Sequence, residues 1–263
     1  MSAYESLQLE HDGQRCTVWL NRPERHNAFD QHMILELQHC LEQLSQQPQL
    51  RVLVLAGRGR SFCAGADLHW MQQQASARYE ENLEDARALA RLLRTLSLVP
   101  QPTVARVHGA ALGGGLGLIA ACDIAIASSG ASFGTTEGRL GLTPSIIAPY
   151  VIEAMGERAA RRYFQSAERF DSREALRLGL IHEYSELEAL DERLAALITA
   201  LCSVGPAAQA HSKRLIAALH GRSPSDPAVL EQTAQSIATV RAGEEARAGI
   251  AAFFARGKPP WAP

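Results

Sequence analysis

Short apolar runs alternate with stretches of helical period through the first half of the chain, and this alternation constrains the fold more than any other feature. Residues 14–20 (QRCTVWL) read as a strand. Asp30 to Ser45 reads as an amphipathic helix with Met33, Leu37, Leu41 and Leu44 on one stripe, and 51–56 (RVLVLA) as a buried strand that Gly57 ends. The small-residue loop GRGRSFCAGAD then leads to a short helix at Leu68–Gln73, for which Asp67 is the expected N-cap, and to a long helix around Glu80–Leu96 that Pro100 and Pro102 close. Strands at 103–107 (TVARV) and 123–127 (DIAIA) flank the glycine-rich start of a buried helix at 113–121. From about residue 145 the period is mostly helical, over 146–154, 156–165, 172–178, 186–202, 206–220, 227–241 and 244–255. Alternating strands and helices followed by a run of helices predict an α/β core with a helical C-terminal region.

A chain of 263 residues makes one or two domains and buries a core that needs neither disulfides nor metal. With 26 Lys+Arg against 28 Asp+Glu the net charge is −2, which leaves no electrostatic footprint for nucleic acid. Five scattered cysteines, Cys16, Cys40, Cys63, Cys122 and Cys202, form no CxxC pair and no zinc-ligand spacing. They read as reduced, mostly buried thiols. The N-terminal MSAYESLQLEHDG carries Glu5, Glu10 and Asp12 where a signal peptide needs a basic and then an apolar run. The longest uncharged stretch, Gly109 to Cys122, is too glycine-rich and too short for a span of about 20 apolar residues. A cytoplasmic protein without a membrane segment is expected.

The GxSxG, HExxH and GxxxxGK[ST] motifs are absent. His26, His69, His108 and His182 have no ready partner in sequence, and Cys63 and Cys122 have no nearby base, so all six read as structural. Two segments stand out. In Ser61-Phe-Cys-Ala-Gly-Ala-Asp-Leu68, a small-residue turn runs from a strand into a helix, where backbone N–H groups can hold a developing anion. In His108-Gly-Ala-Ala-Leu-Gly-Gly-Gly-Leu-Gly-Leu118, Gly113, Gly114, Gly115 and Gly117 let backbone approach a ligand closely. Gly115-Leu-Gly-Leu-Ile-Ala120 formally matches the dinucleotide fingerprint G-x-G-x-x-[GA], with Glu137 20 residues after Gly117. The context opposes that reading, because HGAAL separates the glycines from the strand and Glu137 lies well past the next one. Glu137 itself sits in the weakly charged stretch FGTTEGRLGLTP, where a carboxylate can have a raised pKa and act as an acid or base.

Taken together, Leu20-Asn-Arg-Pro-Glu-Arg-His-Asn-Ala28, Phe62-Cys-Ala-Gly-Ala-Asp-Leu68, His108-Gly-Ala-Ala-Leu-Gly-Gly-Gly115, Ala121-Cys-Asp-Ile124, Phe133-Gly-Thr-Thr-Glu137 and Ala175-Leu-Arg-Leu-Gly-Leu180 resemble the crotonase (enoyl-CoA hydratase/isomerase) superfamily in order and spacing. The resemblance implies an α/β fold: a crotonase-like spiral of ββα units over residues 1–200, with a helical region at 201–263 that assembles into trimers or dimers of trimers. It implies an acyl-CoA substrate and no separate cofactor, coenzyme A being part of that substrate. The thioester oxygen would sit between the backbone N–H groups of Ala66 and Gly114. Ala28, Ala64, Asp67 and Leu68 would line the coenzyme A path, with Arg25 and Lys258 as candidate partners for its phosphates.

Hydratases of this superfamily carry two glutamates, one three residues after the oxyanion glycine and one in the F-G-x-x-E segment. Here the second matches Glu137 and the first falls on Gly117. Three readings follow: hydration by Glu137 alone, double-bond migration with Glu137 as single base, or acyl-CoA binding without catalysis. The run from Gly113 to Leu118, with the segments 136–150 and 156–162, resembles bacterial hydratases of 3-branched glutaconyl-CoA esters, which favours the first reading. A glycine at 117 is expected to leave room for a bulky branch. Arg139 is a candidate for a distal substrate carboxylate, and Trp70, Met71, Tyr79, Leu142 and Ile146 are candidates for the pocket wall.

Overall fold

Leu7–Asp12 (β1) and Arg15–Leu20 (β2) form an antiparallel hairpin around Gly13, whose φ of +58° suits a residue without a Cβ. The computed structural model describes residues 4–262; residues 1–3 and 263, the outermost ends of the two expected parts, lie outside the described residues. Gln31–Ser45 (α1) follows, its first turn closed by the Asp30 carboxylate, which accepts the Met33 N–H. Then come Val52–Gly57 (β3), Leu68–Ser76 (α2), Tyr79–Leu98 (α3), Thr103–Val107 (β4), Ala110–Leu112 (β5), Gly114–Ala121 (α4), Ile124–Ser128 (β6) and Ser132–Gly134 (β7). The remainder is Ala148–Met155 (α5), Glu157–Ser166 (α6), Phe170–Asp171 (β8), Ser172–Leu178 (α7), Glu183–Ser185 (β9), Leu190–Cys202 (α8), Pro206–Leu219 (α9), Pro227–Ala242 (α10) and Glu244–Phe254 (α11).

A six-stranded sheet has the order β1-β2-β3-β4-β6-β9, parallel from β2 onward, and a small sheet has the order β5-β7-β8. The chain climbs through both in a repeating pattern. Each turn gives one strand to the large sheet, one short segment to the small sheet, and then helix: β3, Cys63, α2 and α3; β4, β5, α4; β6, β7, α5. Parallel pairing of Cys63 with Ala111 and of Ala111 with Phe133 stacks the short segments. This is the expected spiral of ββα units.

Alternation along β3 explains why its sequence is apolar throughout. Leu53 and Leu55 face the main core with Leu37 of α1, Leu92 and Leu93 of α3 and Leu116 of α4, whereas Val52 and Val54 face Leu190 and Leu194 of α8. Each such side chain, fully buried, contributes about 1.5–3 kcal/mol. Beyond α8 burial thins sharply: α9 and α11 bury no residue, α10 buries only Val229, and Ile216, Ile237, Phe253 and Phe254 are exposed. Among the described residues no single helix is long and apolar enough to cross a membrane. No described group of three or more His, Cys, Asp or Glu is placed to hold a metal. All five cysteines are free; burial pushes the thiols of Cys40, Cys63 and Cys122 up to about 12 and that of Cys16 to about 11.

Candidate active site

Two backbone segments meet at the parallel pair Cys63–Ala111. Three residues beyond it on one strand is Ala66, and three beyond on the other is Gly114. Each is preceded by a glycine in the left-handed region, Gly65 at φ +99° and Gly113 at φ +53°. That conformation turns the next peptide out of the pairing plane. In consequence neither the Ala66 N–H nor the Gly114 N–H finds an acceptor among the described residues, although their neighbours do: Phe29 N–H donates to Gly65 O at 2.9 Å, Asp67 N–H to Phe29 O at 2.9 Å, and Gly113 N–H to Gly134 O at 2.9 Å. Two free N–H groups, one of them at the start of α4, suit an oxygen that gains negative charge. Gly115 permits the close approach, since a Cβ there would stand 2.9 Å from the Cys63 Cβ.

Glu137 opens a 3-10 turn, Glu137–Leu140, that follows β7. The turn is tied down by Thr135, whose Oγ1 donates to Tyr163 O at 3.0 Å. Its carboxylate lies over Gly113, where a Cβ would stand 3.2 Å from Oε1. Oε2 is buried without a hydrogen-bond partner, and burial raises the pKa above the ordinary 4.5. A carboxylate with one bare, desolvated oxygen at the start of α4 has the character of an acid–base group.

Asp67 works as an anchor. Its Oδ1 accepts the His69 N–H at 2.9 Å, capping α2, while its Oδ2 binds Arg25 Nη1 at 2.7 Å and Arg22 Nη2 at 3.2 Å. These donors hold its carboxyl below the usual range despite burial. Arg22 also donates to Ala28 O at 2.9 Å, and the Ala64 N–H donates to His26 O at 3.0 Å, so Ala28, Ala64, Ala66, Asp67 and Arg25 form one connected unit. Leu68 projects from it into solvent. Sequence reasoning overlooked the centre of the unit: Asn27 is fully buried at φ +54°, and its side-chain amide joins Arg22 N, Arg58 O and Ser61 O.

The segment that carries Lys258 lies at the far C-terminal end of the chain, after α11. It docks through Trp261, whose Nε1 donates to Ser203 O at 3.2 Å and whose carbonyl accepts from Arg51 at 3.3 Å. Arg51 precedes β3, whereas the Ala66 loop follows it, about 16 Å of strand away at 3.3 Å per residue.

Gly117 lies one helical turn below Gly113, and its environment corrects an expectation. The space left by the absent side chain is filled by Ile147: a Cβ on Gly117 would overlap Ile147 Cγ2 and stand 2.8 Å from its Cβ. Ile147, 2 % exposed, precedes α5 and keys that helix into α4. No substrate branch has room there. Of the candidate wall residues Trp70 is buried, Ile146 and Met71 are half-buried, and Tyr79 and Leu142 are exposed.

Comparison with known proteins identifies the family. The enoyl-CoA hydratase/isomerase family model matches residues 11–263. The chain belongs to the enoyl-CoA hydratase/isomerase family. Among the solved structures of that family, an enoyl-CoA hydratase from Shewanella pealeana superposes with a TM-score of 0.95 at 44 % identity, over 98 % of this chain and 96 % of the other. Pseudomonas aeruginosa AtuE superposes with a TM-score of 0.94 at 38 % identity, over 98 % and 100 %. The crotonyl-CoA hydratase of Syntrophomonas wolfei is 29 % identical over 258 residues, 97 % of each chain. The crotonase fold, with its sheets and C-terminal helices, extends over the whole superposition.

Proposed function

We propose that this chain hydrates a branched 2-enoyl-CoA bearing a distal carboxylate, a 3-substituted glutaconyl-CoA such as the isohexenyl or methyl ester, in acyclic terpene or leucine/isovalerate breakdown. The chain is an enoyl-CoA hydratase, a carbon–oxygen lyase acting on an acyl-CoA thioester. The observation that carries the finer reading is a carboxylate oxygen without a partner beside the paired N–H groups: Glu137 has a bare, buried Oε2, and Ile147 stands where a second acidic side chain would project from position 117.

With the thioester oxygen between the N–H groups of Ala66 and Gly114, charge moving onto that oxygen is stabilised by about 3 kcal/mol per donor. Glu137 takes a proton from water as the hydroxyl adds to C3, then returns that proton to C2, so one carboxylate serves both steps. Arg139, two residues past Glu137, is exposed and pairs with no described acid, which leaves it available for the distal carboxylate. Glu137 as the base of a double-bond shift is the second reading, favoured by the same single carboxylate.

Arg25, with its guanidinium half exposed beside Asp67, would meet a coenzyme A phosphate. The exposed apolar residues of α9 to α11 support assembly as a trimer or a dimer of trimers, and the free buried thiols fit a reducing cytoplasm.

The test is a panel of enoyl-CoA esters with and without a 3-branch and a distal carboxylate, following loss of conjugated absorbance and double-bond migration separately. The branched glutaconyl esters should give the highest kcat/KM for hydration. Preference for crotonyl-CoA, or migration outpacing hydration, would overturn the reading.

A further inference from the structure

One residue touches both halves of the paired N–H arrangement. Phe29, 4 % exposed, pairs in parallel with Ala66: its N–H donates to Gly65 O and its carbonyl accepts the Asp67 N–H, both at 2.9 Å. Those two bonds bracket Ala66 and leave that residue's own N–H free. The ring of the same residue reaches across to Gly114. A Cβ on Gly114 would overlap Phe29 Cζ and stand 2.7 Å and 3.2 Å from Cε1 and Cε2, so the para edge of the ring rests against the bare Cα. Trp70 backs the ring edge-on, with centroids 6.3 Å apart and planes at 64°. Backbone bonds therefore fix one end of this side chain and steric contact fixes the other.

We propose that Phe29 is the positioning residue that sets the separation of the Ala66 and Gly114 N–H groups, its ring serving as a rigid spacer between them. The inference rests on the reading of those two groups as the thioester-binding pair. A ring has no flexible middle, so its length from Cα to Cζ passes directly into the gap between the two segments. Two donors aimed at one oxygen lose effect steeply as distance and angle drift. The Phe29 side chain has no group that could move a proton, and its described contacts are with Gly114, Ala66 and Trp70. The glycine at 114 follows from the same contact, because any side chain there would collide with the spacer.

The geometry predicts loss in both directions of length. Phe29→Leu keeps a buried apolar side chain and the backbone bonds but shortens the spacer, and Phe29→Tyr adds an oxygen at the atom that meets Gly114. The reporter is the isotope-edited infrared carbonyl stretch of [1-13C]butyryl-CoA, a saturated and unreactive thioester, bound at saturation to the full-length protein. Wild type should show a clear downshift relative to the free thioester. Phe29→Leu should lose about half of that downshift or more, and lose kcat for hydration about tenfold, with KM and butyryl-CoA affinity within about threefold. A merely structural role would lower the melting temperature without moving the carbonyl stretch of the folded, saturated protein. A wild-type downshift retained in full by Phe29→Leu would overturn the spacer role while leaving the thioester site standing. No downshift in wild type would overturn the thioester site itself, and the spacer with it.

Discussion

Ile147 fills the notch that Gly117 leaves in α4: a Cβ on the glycine would stand 2.8 Å from the isoleucine Cβ and overlap its Cγ2. Gly117→Glu in the wild-type background should therefore destabilise by about 1–3 kcal/mol through overpacking. Ile147→Ala alone should cost about 2–5 kcal/mol through the cavity it opens. Because both changes act on one space, the double variant should be more stable than the sum of the singles implies. It should also shift preference from branched toward unbranched enoyl-CoA. Denaturant melts of the four proteins and a ratio of kcat/KM values check this, and strict additivity would refute it.

Removing the charge on Glu137 without changing its shape isolates its chemistry. Glu137→Gln should lower kcat for hydration about 100-fold or more, with acyl-CoA affinity nearly unchanged. Steady-state kinetics paired with calorimetric binding of an unreactive acyl-CoA would decide it. Near-normal hydration would point to a substrate group acting alone.

Burial raises the Glu137 pKa above 4.5, and the sign of the pH effect follows. Hydration needs the carboxylate, so kcat/KM should fall on the acid side at a pH above 4.5, as the raised pKa is crossed. For stability, the folded chain holds this proton more tightly than the unfolded one between 4.5 and the raised value. The contribution is therefore most favourable below 4.5 and is lost as pH rises through the raised pKa. Glu137→Gln should melt higher than wild type at neutral pH, with the difference narrowing as pH drops toward 4.5. A difference independent of pH would contradict the burial argument.

Asp67 and Arg25 share one ion pair but should differ in their effects. Asp67→Asn keeps a capping oxygen for α2 but leaves Arg25 without its acid and Arg22 with Asp30 alone, so both stability and kcat should drop. Arg25→Ala should raise KM several-fold for coenzyme A esters and leave kcat on a thioester lacking the nucleotide unaltered. Equal effects on both thioesters would remove Arg25 from phosphate binding.

The helices and long strands were legible because their periods run over enough residues to be distinctive. Asp67 announced the start of α2 and caps it as expected, and Asp30, read as the first residue of its helix, is the cap of α1. Strands β5, β7 and β8 are two or three residues long, too short for alternation to register, so the small sheet that aligns Ala66 with Gly114 left no periodic trace. β1 was hidden by its edge position, with charged Glu10 and Asp12 exposed. Glu137 and the two glycine-rich segments could be read locally. Asn27, Phe29 and Ile147 could not, since each acts through partners some 30 or more positions away, and only the fold makes those pairs neighbours.

The segment between β3 and α2 has no regular secondary structure, yet the N–H groups of Phe62, Cys63, Ala64 and Asp67 all donate to distant carbonyls. Amide protons held that way exchange with solvent only when those bonds open. Ala66 and Gly114 have no such protection. In deuterated water their two amides would be early-labelling points beside a slow stretch, and a bound acyl thioester would close both at once.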